Sequence, residues 1–253
     1  MYKKLIVSAL LSSVLMTGLA NAEQAGTEPA ATAAAIDTQA LGEKLRPLFG
    51  ELPDSINATP VAGIYEAVFG MELIYVSEDG RYFFSGDLID GANRANLSEQ
   101  ARTQARKAEM AAIDPASTII FKAKGDEKHV LSVFTDVTCP FCTKLHKEVD
   151  KLNEEGVTVH YLAYPRAGIG SGSYKDMVSI WCSDNPQEAL TKSKNGEKVE
   201  AKECENPVAN HFALGQKVGV SGTPALVMED GTLIPGYRPA AQLVQILDQA
   251  KVN

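Results

Sequence analysis

An α/β fold in two bodies joined by a helix is predicted for this 253-residue chain, and three features predict it. A short amphipathic helix is followed by β-rich segments between Pro60 and Ile89. A polar helix-forming stretch, NLSEQARTQARKAEMAAI, occupies residues 96 to 113. After Pro115, strand-like and helix-like segments alternate, the pattern of an α/β domain.

The chain opens MYKKLIVSALLSSVLMTGLANAEQ. Lys3 and Lys4 precede an apolar run to about Leu19, and Ala20-Asn21-Ala22 follows as a cleavage signal, the layout of a secretory signal peptide over residues 1–22. The apolar run is shorter than the roughly 20 residues a spanning helix needs, which disfavours a membrane anchor. Export into an oxidising compartment follows, where disulfides persist. Loss of the two lysines takes the net charge from −8 to −10. That balance disfavours nucleic acid or any other polyanion as a partner.

Residues 23–35, EQAGTEPAATAAA, have little to bury and read as a flexible leader. A helix is expected next, with Asp37 as N-cap, Ile36 stapled onto Leu41, a buried stripe of Leu41, Leu45 and Leu48, and an end near Gly50. VAGIYEAVF, MELIYVS and RYFFSGDLI read as strands, the last two joined by a hairpin at Asp79-Gly80. This module, residues 36–95, has a thin core and needs a partner surface. In the linker, residues 96–114, Asn96 is the cap with Glu99 three residues on. The middle of the helix is polar nearly all round, which suits a bridge through solvent. Asp114-Pro115 ends it, because the residue before proline leaves the helical region.

Residues 115–253 read as strands TIIFKA and HVLSVFTD, a helix from Cys139 to about Glu154, a stop at Gly156, strand VTVHYLAY, and helical segments to about Gly219. PALVMED and TLIPGY then flank Gly231, and a last helix starts near Ala240. The sheet should be parallel early and antiparallel late. This is the element order of a thioredoxin-like domain with a helical insertion.

Four cysteines punctuate that domain. Cys139-Pro140-Phe141-Cys142 opens a helix, where unpaired amides and the dipole stabilise a thiolate on Cys139. A lowered pKa makes Cys139 both attacker and leaving group. Pro140 suits the first helical position. Cys142, beside Leu145, Val149 and Leu152, should be the more buried, resolving thiol. Two other readings remain open: half of a zinc site with His146 four residues on, or a structural disulfide. Zinc needs a second close ligand pair, which Cys182 and Cys204 do not form, and a disulfide across so short a loop adds little. For Cys182 and Cys204, a structural disulfide is favoured over a second redox centre, since their loop is worth roughly 3 kcal/mol. In GVSGTPALV, a Thr223-Pro224 dipeptide just before an apolar strand is best explained by a cis bond at a tight turn.

FTDVTCPFCTKLH, HYLAYPRAG, IWCSD, ALGQKVGVSGTPALVMEDGTLIPGY and PVAGIYEAV together resemble the DsbC/DsbG family of periplasmic thiol–disulfide isomerases, from about Ile36 to about Ala250. The resemblance implies a V-shaped homodimer made by residues 36–95, a linker helix, and a thioredoxin-like catalytic domain. It implies Cys139 and Cys142 as catalytic, a cis-proline loop at Thr223-Pro224 that binds substrate, a structural Cys182–Cys204 disulfide, and a membrane reductase, DsbD, as electron donor. No metal or cofactor is implied. The intervening dipeptide is Pro-Phe where the family usually has Gly-Tyr, and the Ala-rich leader is extra. The expected function is a periplasmic isomerase that rearranges wrong disulfides in misfolded exported proteins and holds unfolded chains. The rival readings are a DsbG-like reductase of sulfenylated cysteines and a holdase chaperone whose cysteines are dispensable.

Overall fold

The computed structural model describes residues 36 to 252. The signal segment and the leader lie outside the described residues.

Helix α1 (Thr38–Phe49) starts where the Asp37 carboxylate accepts the Ala40 N–H at 2.9 Å and stops at Gly50, whose φ of 84° ends the helix. Leu41 and Leu45 are buried and Ile36 packs against them. Leu48 corrects the expected stripe: it is 58% exposed. Phe49 takes its place, because the rings of Phe69 and Phe83 lie 5.0 and 5.7 Å away. Strands β1 (Ser55–Ala58), β2 (Ile64–Phe69), β3 (Glu72–Ser77) and β4 (Phe83–Ser85) form a sheet in sequential order, all neighbours antiparallel. The hairpin at Asp79-Gly80 joins β3 to β4 as expected. Strand β1 has no apolar alternation to announce it. RYFFSGDLI divides into β4 and β5 (Ile89–Asp90), and β5 pairs with β6 (Ala95–Asn96).

Helix α2 (Leu97–Ala111) begins on Asn96, whose side chain accepts the Glu99 N–H at 2.9 Å. It does not run through solvent. Arg106 is 2% exposed and donates from Nε to Val218 O and from Nη1 to Gly231 O, both at 2.9 Å. At Gly231 (φ 92°) a Cβ would collide with the Thr103 carbonyl, so helix backbone rests directly on that turn. A guanidinium carries enough fixed donors to enter an interior if carbonyls meet it, and its stem packs as an apolar chain. Polarity around a helix is therefore not the same as solvation.

A short 3₁₀ turn, Pro115–Ser117, leads into the second sheet. Its strands are β7 (Ile119–Phe121), β8 (His129–Thr135), β9 (Val157–Ala163), β10 (Ala225–Met228) and β11 (Leu233–Pro235), in the order β11-β10-β8-β9-β7. The early strands are not all parallel. Only β8 and β9 are, while β7 runs antiparallel to β9. The expected helix from Cys139 to Glu154 is two: α3 (Pro140–His146) and α4 (Val149–Glu154). Between them the Glu148 carboxylate turns to accept the Ala240 N–H at 2.8 Å and the Tyr237 hydroxyl at 2.5 Å, at the start of α8 (Ala240–Val252). The insertion holds α5 (Gly172–Trp181), α6 (Pro186–Lys194) and α7 (Val208–Lys217). Leu131 and Val133 of β8 join Leu145, Leu152, Leu243 and Leu247 on one face of the sheet, and Phe134 joins Leu162 and Val218 in a second cluster. That division follows the two-residue period of a strand. No helix among the described residues is long and apolar enough to cross a membrane.

A candidate dithiol active site

Strand β8, at the centre of the sheet, ends at Thr135, and Asp136 follows it at the C-terminal end from which α3 departs. Asp136 is 1% exposed, and its Oδ1 accepts from the Thr138 N–H and hydroxyl, both at 2.7 Å. Its Oδ2 accepts from Arg166 N at 2.9 Å and Nε at 3.1 Å. Burial opposes the charge on this carboxylate, yet these donors hold its pKa below the usual range. The Asp136 carbonyl in turn takes the Cys139 N–H at 3.1 Å. The turn is thus rigid before the first cysteine is reached.

Cys139 is itself the N-cap of α3, with Pro140 at the first helical position. Its sulfur accepts the Cys142 N–H at 3.4 Å and donates to the Thr223 carbonyl at 3.1 Å. Thr223-Pro224 is a cis peptide, and Pro224 O is fixed by Gly236 N at 2.8 Å. Cys139 and Cys142 are free thiols in this structure. Surface exposure does not separate them, at 2% and 1%; electrostatics does. Burial alone would raise the Cys139 thiol, but the neighbouring Thr223 side chain, the Cys142 thiol and N–H, and the charge of Arg166 bring its pKa below that of an ordinary thiol. Burial pushes Cys142 up, and its neighbours offset only part of that. Thr223 Oγ1 is buried without a hydrogen-bond partner among the described residues. A donor stranded beside a thiol has an acceptor waiting once that thiol ionises. Phe141, between the cysteines, is 59% exposed, and Ile169 is exposed as well.

His146 stands away from the sulfur chemistry. Nδ1 lies 3.1 Å from the Tyr161 hydroxyl and Nε2 3.0 Å from Thr191 Oγ1. Burial first, and then the Lys194 charge, lower its pKa to about 4, so it is a neutral core histidine. Cys182 and Cys204 form a disulfide across 22 residues, linking the end of α5 to the segment before α7.

Residues 118–251 match the thioredoxin-like domain family, and residues 29–99 match the N-terminal domain of disulfide bond isomerase proteins. Thiol:disulfide interchange protein DsbC of Salmonella typhimurium is 35% identical, over 98% of this chain and 97% of that protein. The chain belongs to the DsbC family. The DsbC proteins of Escherichia coli (37% identical, 77% of this chain and 80% of that one) and Dickeya dadantii (34%, 99% and 98%) are similar relatives. In this DsbC-family chain both cysteines and the Thr223-Pro224 loop are legible in the sequence, and the fold brings all four residues together. Asp136, Thr138, Arg166 and Lys194 are not singled out by the sequence. Asp136, in FTDVTCPFCTKLH, and Arg166, in HYLAYPRAG, carry only a weak signal. Lys194, in a polar helix end, carries none.

Proposed function

We propose that this protein is a periplasmic disulfide isomerase in which Cys139 is the attacking thiol and Cys142 the resolving one. Thiol–disulfide interchange is the chemistry of its family. The Cys139 thiol loses its proton, and the thiolate attacks one sulfur of a wrong disulfide in an exported protein. The substrate S–S bond breaks, a mixed disulfide forms, and the other substrate sulfur leaves as a thiolate and is protonated. A substrate thiolate can then displace Cys139, giving a rearranged disulfide with no net redox change. Alternatively Cys142 displaces the substrate, which is released reduced while Cys139–Cys142 becomes oxidised. The single observation that carries this reading is the cradle around the Cys139 sulfur: Cys142 N at 3.4 Å, Thr223 O at 3.1 Å, and the partnerless Thr223 hydroxyl.

Exposed Ser221 and Gly222 beside half-buried Thr223 leave backbone for a substrate strand, a mode indifferent to substrate sequence. Residues 36–95 form the dimerisation domain of a homodimer, supported by exposed Phe83 and Phe84 on β4, with Tyr82 just before it and Ile89 on β5. Residues 96–114 are the linker helix and 115–253 the catalytic domain. Periplasmic location rests on the layout of residues 1–22. The reductive exit through Cys142 consumes electrons, so a membrane thiol reductase of the DsbD kind must return them.

Cys142→Ala tests the assignment. It should trap mixed disulfides between Cys139 and exported proteins bearing several cysteines, seen on non-reducing gels; an empty trap removes Cys142 as resolver. A trap filled with single-cysteine proteins would favour reduction of sulfenic acids. Rescue of a scrambled substrate that survives the Cys139→Ser, Cys142→Ser double variant would favour a holdase.

A further inference from the structure

Lys194 lies beneath the dithiol and has no part in the exchange just described. It is the last residue of α6 and is 3% exposed, in a stretch, LTKSKNG, that reads as a solvated helix end. Its Nζ donates to Thr135 Oγ1 at 2.9 Å and to the Asp136 carbonyl at 2.8 Å. That same carbonyl receives the Cys139 N–H, so the ammonium stands one peptide group from the CPFC turn. An ammonium has three donors, and these contacts use two. Two neutral acceptors offset the burial of a full charge poorly, and a nearby anion offsets it far better.

The charged and titratable groups facing Lys194 narrow the choice of anion. The Asp136 carboxylate, just past β8, is turned to Thr138 and Arg166 and supports the Lys194 charge less than either thiol does. Arg166 is a cation. His146 on α3 is neutral, bonded to Tyr161 and Thr191, and the Tyr161 phenol on β9 is kept protonated by burial. The two thiols of α3 remain. We propose that Lys194 keeps its charge for the Cys142 thiolate and so speeds the step in which Cys142 displaces the substrate from its mixed disulfide with Cys139, an inference that rests on reading Cys139 and Cys142 as the redox pair. Burial raises the Cys142 thiol, and Lys194 is the largest influence drawing it back down. Conversely, burial lowers the Lys194 pKa, and Cys142 is the largest influence raising it. Lys194 thus acts through Cys142, whose N–H meets the Cys139 sulfur at 3.4 Å.

In the step itself the Cys142 proton goes to solvent and the Cys142 thiolate attacks Cys139 Sγ. The Cys139–substrate bond breaks as Cys139–Cys142 forms, and the substrate sulfur leaves as a thiolate that solvent protonates. The dithiol is oxidised by two electrons and the substrate disulfide is reduced by the same two.

The test uses full-length protein carrying a mixed disulfide between Cys139 and thionitrobenzoate, whose release is read by its absorbance across pH. In the parent, release must depend on Cys142. Release unchanged in Cys142→Ala, or failure of Cys139 to take the label, sinks the redox-pair reading itself before Lys194 is altered. With that established, Lys194→Met should move the midpoint of the release profile up by about one pH unit and slow release about tenfold near neutrality. Lys194→Arg, which keeps the charge, should recover most of the rate, and alkylation of Cys139 by iodoacetamide should change less than release does. A Lys194→Met profile that overlays the parent overturns the proposal. If Lys194→Met does not fold, the ε-carbon resonance of Lys194 is followed in Cys139→Ser protein. An inflection at the pH where Cys142 ionises supports the pairing, and a flat titration overturns it.

Discussion

The two cysteine pairs of this chain invert a common expectation about reactivity. Cys139 and Cys142 are almost inaccessible and remain free thiols, whereas Cys204 is exposed and is locked to half-buried Cys182. Loop length explains one side. A bond across 22 residues removes much freedom from the unfolded chain, and one across a CxxC removes little. The short pair is therefore left to be tuned by its surroundings: the Thr223 side chain and the Arg166 charge at Cys139, and the buried Lys194 at Cys142. Exposure measures access; the charges around a thiol decide whether it reacts.

The comparison breaks most sharply at Cys139. Cys139→Ser should reduce scrambled-substrate rescue to background with little change in thermal midpoint, and residual rescue would mean that the attacking sulfur lies elsewhere.

Acid should affect the surroundings of both pairs. His146, bonded to Tyr161 and Thr191 beneath α3, and His211, which contacts Ser117 and the Trp181 ring next to Cys182, are each held at a pKa of about 4, chiefly by burial. The unfolded chain protonates them near 6.5, so their contribution is intact above that pH. It declines as pH falls through the window down to about 4, by up to about 3 kcal/mol for each histidine. Denaturant midpoints across that window should follow the slope, and His146→Gln and His211→Gln should each flatten it. A slope indifferent to both substitutions would show that other groups control acid stability.

A Cys182→Ser, Cys204→Ser variant should lose about 3 kcal/mol of stability while keeping interchange at Cys139. Loss of interchange in a variant that is still folded would make the second pair more than a staple.

The smallest effect belongs to Arg166, whose side chain is 42% exposed and screened by solvent. Arg166→Gln should raise the pH of half-maximal Cys139 alkylation by less than about one unit. A larger shift would mean that the Asp136 turn has also moved.

Much of this was legible in the sequence where the signal is local. Asp37 and Asn96 announce their helices because a cap needs only the amides two or three residues on. The CPFC motif places Cys139 at a helix start for the same reason. Gly50 and Asp79-Gly80 mark turns through backbone angles that few other residues accept. The cysteine spacing pointed to the Cys182–Cys204 staple, because loop length is itself a property of the sequence.

Tertiary structure decided whatever depended on which surface arrives opposite a residue. Leu48 lost its expected place to Phe49 because two rings stood nearer Phe49. A helix polar all round came to rest on the Gly231 turn because Val218 and Gly231 offered Arg106 two carbonyls. Strand β7 took the edge of the sheet antiparallel to β9, and the helix after the CPFC motif broke where Glu148 found the start of α8. Lys194, indistinguishable in sequence from Lys192, is buried because Thr135 and Asp136 receive it. In each case the deciding partner lies far along the chain, and the periodicity and capping rules that read a sequence reach only a turn or two.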